Sequence, residues 1–165
     1  MKKLCILVVL FFSLSGCRIA LNGASIGEMK TVNVTVFENN APLVVPYLSS
    51  QFTESLKTRI RNQTSLSITA NDAQGVFSGN ITGYSITPEA IENGNNPVAG
   101  ANRLTIAINV KYTNNLNPKL SFERTFERYK VFKLTGTIAA MEPGLITDVT
   151  AQLTEDIFNA AFAQW

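Results

Sequence analysis

The chain has 165 residues, of which 45% are hydrophobic and 16% charged, and its formal net charge is +2. This length and composition are typical of one globular domain with a buried core, and they exclude a disordered chain or a highly charged coil. Because the chain contains no histidine, composition also excludes Ser–His–Asp and Cys–His catalysis and histidine-ligated metal sites.

The N-terminus has the three parts of a bacterial lipoprotein signal. Lys2 and Lys3 precede an apolar run, Leu4–Phe12, which is shorter than the about 20 residues that a membrane-spanning helix needs. The lipobox pattern Leu14-Ser15-Gly16-Cys17 follows. We therefore predict that residues 1–16 are a signal peptide, cleaved between Gly16 and Cys17, and that the Cys17 thiol carries diacylglycerol. The alternative is an ordinary secretory signal with an incidental cysteine.

Cleavage at this site changes the charge of the chain. Once Lys2 and Lys3 leave with the signal, 12 of the 14 basic residues remain against 12 acidic ones. General basicity then gives no argument for nucleic-acid binding, and we expect no nucleic-acid partner. Cys5 also leaves, so Cys17 remains as a thioether and no disulfide can form. Two or three acyl chains on Cys17 would anchor the protein stably in a membrane.

Residues 17–30 lack a clear period and are interpreted as a lipidated tether. Thr31–Phe37 alternates with period two, which predicts a strand with three valines on one face. After Pro46, apolar residues recur at every fourth position and predict a helix with one buried stripe, formed by Leu48, Phe52, Leu56 and Ile60.

Strand patterns dominate the middle of the chain. Leu66–Ile68 and Val76–Ile86 are interpreted as strand interrupted by a turn, and Pro88–Asn102 as a connection. Leu104–Tyr112 is the clearest amphipathic strand, and Lys119–Tyr129 returns as its antiparallel partner. After Pro143-Gly144 we predict a final helix with one apolar face, formed by Val149, Leu153, Ile157, Ala161 and Trp165 and widened by Phe158 and Phe162.

This order of elements predicts an α+β fold over residues 31–165. Each of the two helices has a single apolar stripe that must be buried, so both helices should cover the same face of one sheet. A strand–helix–strand crossover makes the first strands parallel or separated by one position, whereas short turns make the later strands an antiparallel meander. We predict a two-layer sandwich: a four-stranded, mostly antiparallel sheet with two helices on one face.

Signals of catalysis are weak. Gly94 and Gly100 lack the lysine and the strand–helix context of a phosphate-binding loop. The acidic residues Asp72, Glu89 and Glu92 are scattered along loops, so we expect no metal site. Glu123 and Glu127 could form a glycosidase pair, but an arginine follows each of them and would keep the carboxylate ionised. We expect no catalytic residue, no metal and no cofactor.

Charge is distributed unevenly along the chain. Basic residues dominate from Arg103 to Lys133, and acidic ones dominate from Leu134 to the C-terminus. In a strand, Phe122, Arg124, Phe126 and Arg128 share one face, and this alternation suits a ligand that has both acyl chains and phosphates. The alternative is structural: the phenylalanines belong to the core, and the arginines pair with Glu155 or Asp156 at its rim.

Several segments in order resemble one protein family, LptE, in a diverged branch. The segments that carry the resemblance are Gly23–Ile26, Val36–Asn39, Phe52–Leu56, Asn62–Leu66, Phe77–Tyr84, Asn102–Ile106, Phe122–Phe126 and Asp156–Phe162. None is a catalytic signature, so order and spacing carry the resemblance. Arg18-Ile19-Ala20 departs from it, because an aromatic pair is expected after the lipidated cysteine.

The resemblance implies a non-enzymatic lipoprotein on the periplasmic face of the outer membrane, anchored there through acylated Cys17. LptE proteins sit as a plug in the lumen of the LptD β-barrel, help that barrel fold and assist lipopolysaccharide delivery to the cell surface. Family members are also associated with lipopolysaccharide contact through basic residues. Composition makes Arg103, Lys111, Arg124 and Arg128 the candidates here. The alternative is a periplasmic lipoprotein that binds a small ligand or glycan and has no barrel partner.

Overall fold

The computed structural model describes residues 26–93 and 96–163. These residues form one six-stranded mixed sheet and two long helices, which are arranged as a two-layer α+β sandwich. The elements in chain order are β1 (Thr31–Val34), β2 (Glu38–Asn39), α1 (Leu48–Gln63), β3 (Ser67–Ile68), β4 (Gly75–Asn93), β5 (Asn96–Asn114), β6 (Phe122–Lys133) and α2 (Ile138–Phe162). The predicted signal peptide and most of the predicted tether lie outside the described residues.

The main path of the sheet runs β3-β1-β4-β5-β6, and β2 pairs with β4 beyond the end of β1. Pairings of β1 and β2 are parallel, whereas the long β4–β5 and β5–β6 ladders are antiparallel. The predicted fold class is therefore confirmed, with six strands instead of four. The predicted strand that included Leu66–Ile68 and Val76–Ile86 is two strands, because β3 and β4 pair with opposite sides of β1.

The first predicted strand breaks after Val34, and the prediction that its three valines share one face is wrong. Val32 and Val34 are buried, but Val36 is 64% exposed and Phe37 is buried in its place. The backbone of Phe37 does not pair with β4. Its N–H donates to Thr53 Oγ1 and its carbonyl accepts from Ser49 Oγ, both on α1. Hydrogen bonds with α1 thus replace those of a strand ladder at Phe37. The alternation of buried and exposed side chains shifts by one residue there.

The predicted connection at Pro88–Asn102 is wrong, because β4 and β5 continue through it as a hairpin of two 19-residue strands. The last residue of β4 that pairs with β2 is Ile81. Beyond it the outer edge of β4 has no strand partner among the described residues, so a proline at position 88 removes no ladder hydrogen bond there. The central part of β5 alternates as predicted.

Both helices lie on the face of the sheet that contains the buried residues of β5. The four predicted stripe residues of α1 are fully buried, which confirms that prediction. Helix α2 begins at Ile138 and contains Pro143, so the predicted start after Pro143-Gly144 is wrong. Thr137 caps the helix by accepting a hydrogen bond from the Ala140 N–H, and this cap fixes the earlier start. Of the predicted stripe of α2, Trp165 lies outside the described residues and the others are buried.

The two helices run parallel and contact each other through polar side chains. Gln51 Nε2 donates to Thr147 Oγ1 at 2.9 Å, and Arg59 Nε donates to Thr154 Oγ1 at 3.1 Å. Neither helix has the length and apolarity that crossing a membrane would require. Because both helices lie on the same face of the sheet, the opposite face of the described strands is left open.

Candidate functional site

The open face of the sheet is a continuous polar surface. The register of the antiparallel ladders places the residues between the buried positions of β4, β5 and β6 on this face. Hydroxyl and amide side chains predominate there: Asn33, Ser78, Asn80, Ser85, Thr87, Thr105, Asn109, Thr113 and Thr125. Such side chains can donate and accept hydrogen bonds without carrying charge, so this face is suited to a polar partner surface.

Arg103 lies on the open face within a small cluster. Its guanidinium forms a two-pronged ion pair with Glu89, and its Cζ lies 4.0 Å from the centre of the Tyr129 ring. The hydrogen bonds that Arg103 donates to the Glu89 carboxylate raise the pKa of Arg103. A guanidinium that is already matched by a carboxylate and a ring has less capacity for an additional anion.

Lys111 lies further along the open face and is exposed. Its cross-strand neighbour is Glu123 on β6. No ion pair of 4.0 Å or less joins the two side chains in the part of the chain that the structure describes.

Arg124 and Arg128 lie on the opposite, helix-covered face, at its rim, together with Phe122 and Phe126. Arg124 Cζ is 4.5 Å from the Phe126 ring centre and 5.1 Å from that of Phe122. Arg128 Nη2 donates to Asp156 Oδ1 at 2.8 Å, and this hydrogen-bonded carboxylate raises the pKa of Arg128. The structural alternative stated for these arginines is therefore confirmed for Arg128, whereas Arg124 forms no ion pair with any carboxylate among the described residues.

The four candidate basic residues are thus not brought together. Arg103 and Lys111 belong to the open face, and Arg124 and Arg128 belong to the rim of the covered face, so one compact ligand cannot contact all four. Gly16 and Cys17, the predicted cleavage and lipidation positions, lie outside the described residues. Lys130, which the sequence analysis did not select, pairs with Asp148 of α2 at 3.4 Å.

Glu123 and Glu127, the possible glycosidase pair, are both exposed on the open face of β6. They are four residues apart, which in a strand separates their Cα atoms by about 13 Å. Within residues 26–93 and 96–163, no three acidic or cysteine side chains cluster as metal ligands would.

One polar contact inside the fold was missed by sequence reasoning. Tyr84 on β4 donates to Glu142 Oε1 on α2 at 2.6 Å. Burial is the main cause that raises the pKa of Tyr84, and the hydrogen bond to Glu142 adds to it. Burial also raises the pKa of Tyr47, and the charge of Glu142 raises it further. No local pattern could reveal this contact, because 58 residues separate Tyr84 from Glu142.

The larger cavities in the described part of the fold are open surface grooves, of about 550 Å³ between α1 and α2 and about 440 Å³ at the rim beside Arg124 and Arg128. A smaller cavity of about 260 Å³ lies at the end of the sheet where β1 begins, and its wall includes Met29, Tyr112 and Phe162. Binding sites for small molecules are commonly about 300–1,000 Å³. The open face and the rim of the sheet are therefore better candidates for function than an internal pocket.

Comparison with known proteins identifies one family and one fold. The family LptE, described as lipopolysaccharide-assembly, matches residues 29–161. Among curated protein sequences, none matches this chain.

Three solved structures have the same fold at low sequence identity. A lipoprotein B from Nitrosomonas europaea is 13% identical with a TM-score of 0.53, and the match covers 87% of this chain and 88% of that one. A hypothetical protein from Chlamydia trachomatis is also 13% identical with a TM-score of 0.53, covering 78% and 93%. A minor lipoprotein from Acinetobacter baumannii is 14% identical with a TM-score of 0.51, covering 79% and 91%.

Proposed function

Because this chain belongs to the LptE family of lipopolysaccharide-assembly proteins, we propose that it is an outer-membrane lipoprotein that plugs an LptD-type β-barrel. In this role it helps the barrel to assemble and assists the transport of lipopolysaccharide to the cell surface. Acylated Cys17 anchors it to the periplasmic face of the outer membrane. It performs no catalysis and uses no cofactor.

The observation that best supports a role as a plug is the uncovered face of the sheet. A domain that is surrounded by water gains little stability from a long array of oriented hydroxyl and amide groups. A domain enclosed by a barrel needs such groups, because the inner wall of a large barrel is polar and must be hydrogen-bonded when water leaves. Thr105 and Asn109 lie on this surface, on β5 between the long strands β4 and β6.

Affinity purification tests the proposal directly. The tagged full-length lipoprotein is purified from detergent-solubilised outer membranes, and we expect a large β-barrel to be recovered with it in a stable complex. Depletion of the lipoprotein should leave that barrel misassembled and the outer membrane permeable to large antibiotics. Normal barrel levels and an intact permeability barrier after depletion would refute the proposal and favour a lipoprotein that acts without a barrel.

Lipopolysaccharide contact is a finer part of the proposal. Of the four candidates, Arg124 and Lys111 have no ion pair among the described residues, whereas Arg103 and Arg128 do. Arg124 also lies on two phenylalanine rings, which places a phosphate-binding group beside an apolar surface. We therefore assign the phosphate contact of lipid A mainly to Arg124, with Lys111 second.

Charge reversal at Arg124 tests this assignment. Arg124→Glu should weaken binding of purified lipopolysaccharide at low salt, with a smaller difference from the wild type at high salt, because ions screen exposed charges. Arg61→Glu, on exposed helix surface, is the matched control and should bind as the wild type does. If Arg124→Glu instead lowers the melting temperature sharply, Arg124 stabilises the fold and the assignment is wrong.

A further inference from the structure

The outer edge of β6 is an unpaired strand edge, and the register shows which backbone groups it exposes. The carbonyls of Phe77 and Ile81 accept hydrogen bonds from the N–H groups of Thr35 and Asn40, respectively. The backbone N–H and C=O groups of these two β4 residues therefore point away from β5. Their partners on β5, Tyr112 and Ile108, therefore direct their backbone groups toward β6. Even-numbered residues of β6 pair with β5, and the odd-numbered ones face outward.

The outward positions of β6 are Glu123, Thr125, Glu127, Tyr129, Val131 and Lys133. None is a proline, so every one of them offers both an N–H and a carbonyl. In the described part of the chain, no hydrogen bond uses these groups. The strand has 12 residues, so this edge is about 40 Å long.

The other edges of the sheet differ from β6. The edge formed by β3 is only two residues long. The free edge of β4 is interrupted by register shifts between Ile81 and Gly83 and between Glu89 and Ile91, and it contains Pro88. Short strands, bulges and proline all prevent another strand from pairing. In contrast, β6 pairs with β5 from Phe122 to Lys133 without a register shift.

We propose that the outer edge of β6 binds an extended segment of the barrel partner by strand addition, with a basic side chain of that segment opposite Glu127. This inference rests on the proposed function, since it assigns the segment to the barrel protein. Backbone hydrogen bonds supply the attraction in this type of recognition, and side chains supply the specificity. Glu127 specifies the base, because it is exposed and forms no ion pair of 4.0 Å or less among the described residues.

A second copy of this chain is a poorer occupant of the edge. In an antiparallel pair centred on Thr125, Glu123 of one copy would face Glu127 of the other. Centred on Phe126, the pair would oppose Arg124 and Arg128, and centred on Glu127 it would oppose Arg124 and Lys130. Like charges directly opposite each other destabilise a strand pair, so the central registers of self-pairing are disfavoured.

A proline at an outward position tests the inference. Thr125→Pro removes one outward N–H and leaves the hydrogen bonds between β5 and β6 intact, and prolines are tolerated at such edge positions. Thr125→Val is the matched control, since it changes the side chain and keeps the N–H. With the full-length lipoprotein co-expressed with its barrel, we expect Thr125→Pro to bind the barrel at least about tenfold more weakly than Thr125→Val, which lacks the same hydroxyl but retains the N–H.

Each outcome has a distinct meaning. Equal recovery of the barrel with both variants overturns strand addition and leaves the proposed function intact. Failure of the wild type to recover any barrel refutes the proposed function itself. If the wild type dimerises and Thr125→Pro is monomeric, the occupant is a second copy and the assignment to the barrel is wrong.

Hydrogen exchange gives a second measurement if the proline variant does not fold. In the free wild-type protein, the amides at odd-numbered positions of β6 should exchange fast and those at even-numbered positions slowly. Binding of the barrel should protect the odd-numbered amides. If those amides still exchange fast in the complex, the edge is not paired and the inference is wrong.

Discussion

The two faces of β5 differ along the same strand. Leu104, Ile106, Ile108 and Val110 are fully buried under the helices, whereas Thr105, Ala107 and Asn109 between them are partly exposed on the open face. The covered face contributes to stability through burial of apolar area, at about 25 cal/mol per Å². The open face contributes little to stability, which leaves its residues available for recognition. Substitutions on the two faces should therefore affect different measurements.

The largest contrast is expected between Phe77 and its neighbour Ser78 on β4. Phe77 is fully buried and stacks on Tyr112 with ring centres 4.6 Å apart. Phe77→Ala should lower the free energy of unfolding by about 3–5 kcal/mol, because it leaves a cavity in the core. Ser78→Ala, on the open face, should change it by less than about 0.5 kcal/mol. Urea denaturation of both variants measures the difference, and equal losses would contradict the comparison.

Gly79 tests whether the covered face also constrains the backbone. Its φ is +151°, and a Cβ at this position would lie 2.0 Å from the Asn109 carbonyl oxygen. Gly79→Ala should therefore cost about 3 kcal/mol of unfolding free energy. Gly144→Ala is the matched control in α2, where a Cβ would meet no atom within 4 Å. This control should stabilise the protein by about 0.5–1 kcal/mol. If Gly144→Ala also lowered the free energy of unfolding, the loss in Gly79→Ala could not be attributed to the contact with Asn109.

Sequence patterns predicted the covered face well, because burial on one side imposes a period that a single strand or helix displays. The α1 stripe and the alternation in β5 are examples. The break at Phe37 could not be predicted from its own segment, since Thr53 and Ser49 of α1 supply the hydrogen bonds that permit it. The continuation of β4 past Pro88 depends in the same way on which strand lies beside it.

The candidate site was predictable only where one strand defined it. Strand alternation placed Arg124 and Arg128 on one face of β6, and the register confirms this placement. Alternation within one strand does not determine which residues of a neighbouring strand lie on the same face of the sheet. The pairing of β5 with β6 therefore had to be known before Arg103 and Lys111 could be separated from the other two basic residues. The outward direction of the β6 backbone likewise depends on pairings three strands away.

A smaller effect is expected at the contact that joins the two layers. Tyr84→Phe removes the hydrogen bond to the Glu142 carboxylate, and loss of a bond to a charged acceptor costs about 1.5–3 kcal/mol. Tyr129→Phe is the matched control, because Tyr129 is 49% exposed on the open face. Thermal unfolding followed by circular dichroism should show a lower midpoint for Tyr84→Phe alone. Equal midpoints for the two variants would mean that the contact between Tyr84 and Glu142 does not stabilise the fold.

The smallest effect at neutral pH is expected at Tyr112, whose hydroxyl lies in the core. Burial raises the pKa of Tyr112 from the ordinary 10.0 to about 12, so between these values the folded state retains a proton that the unfolded state has released. The stabilisation is complete below pH 10 and is lost as the pH rises toward 12. Tyr112→Phe removes a hydroxyl whose nearest partner, Asn114 Nδ2, is 3.5 Å away, so its midpoint at pH 8 should stay within a few degrees of the wild type. Between pH 10 and 12 its midpoint should fall less than that of the wild type. Parallel falls in the two proteins would show that the Tyr112 hydroxyl reaches solvent and that this end of the core is not closed.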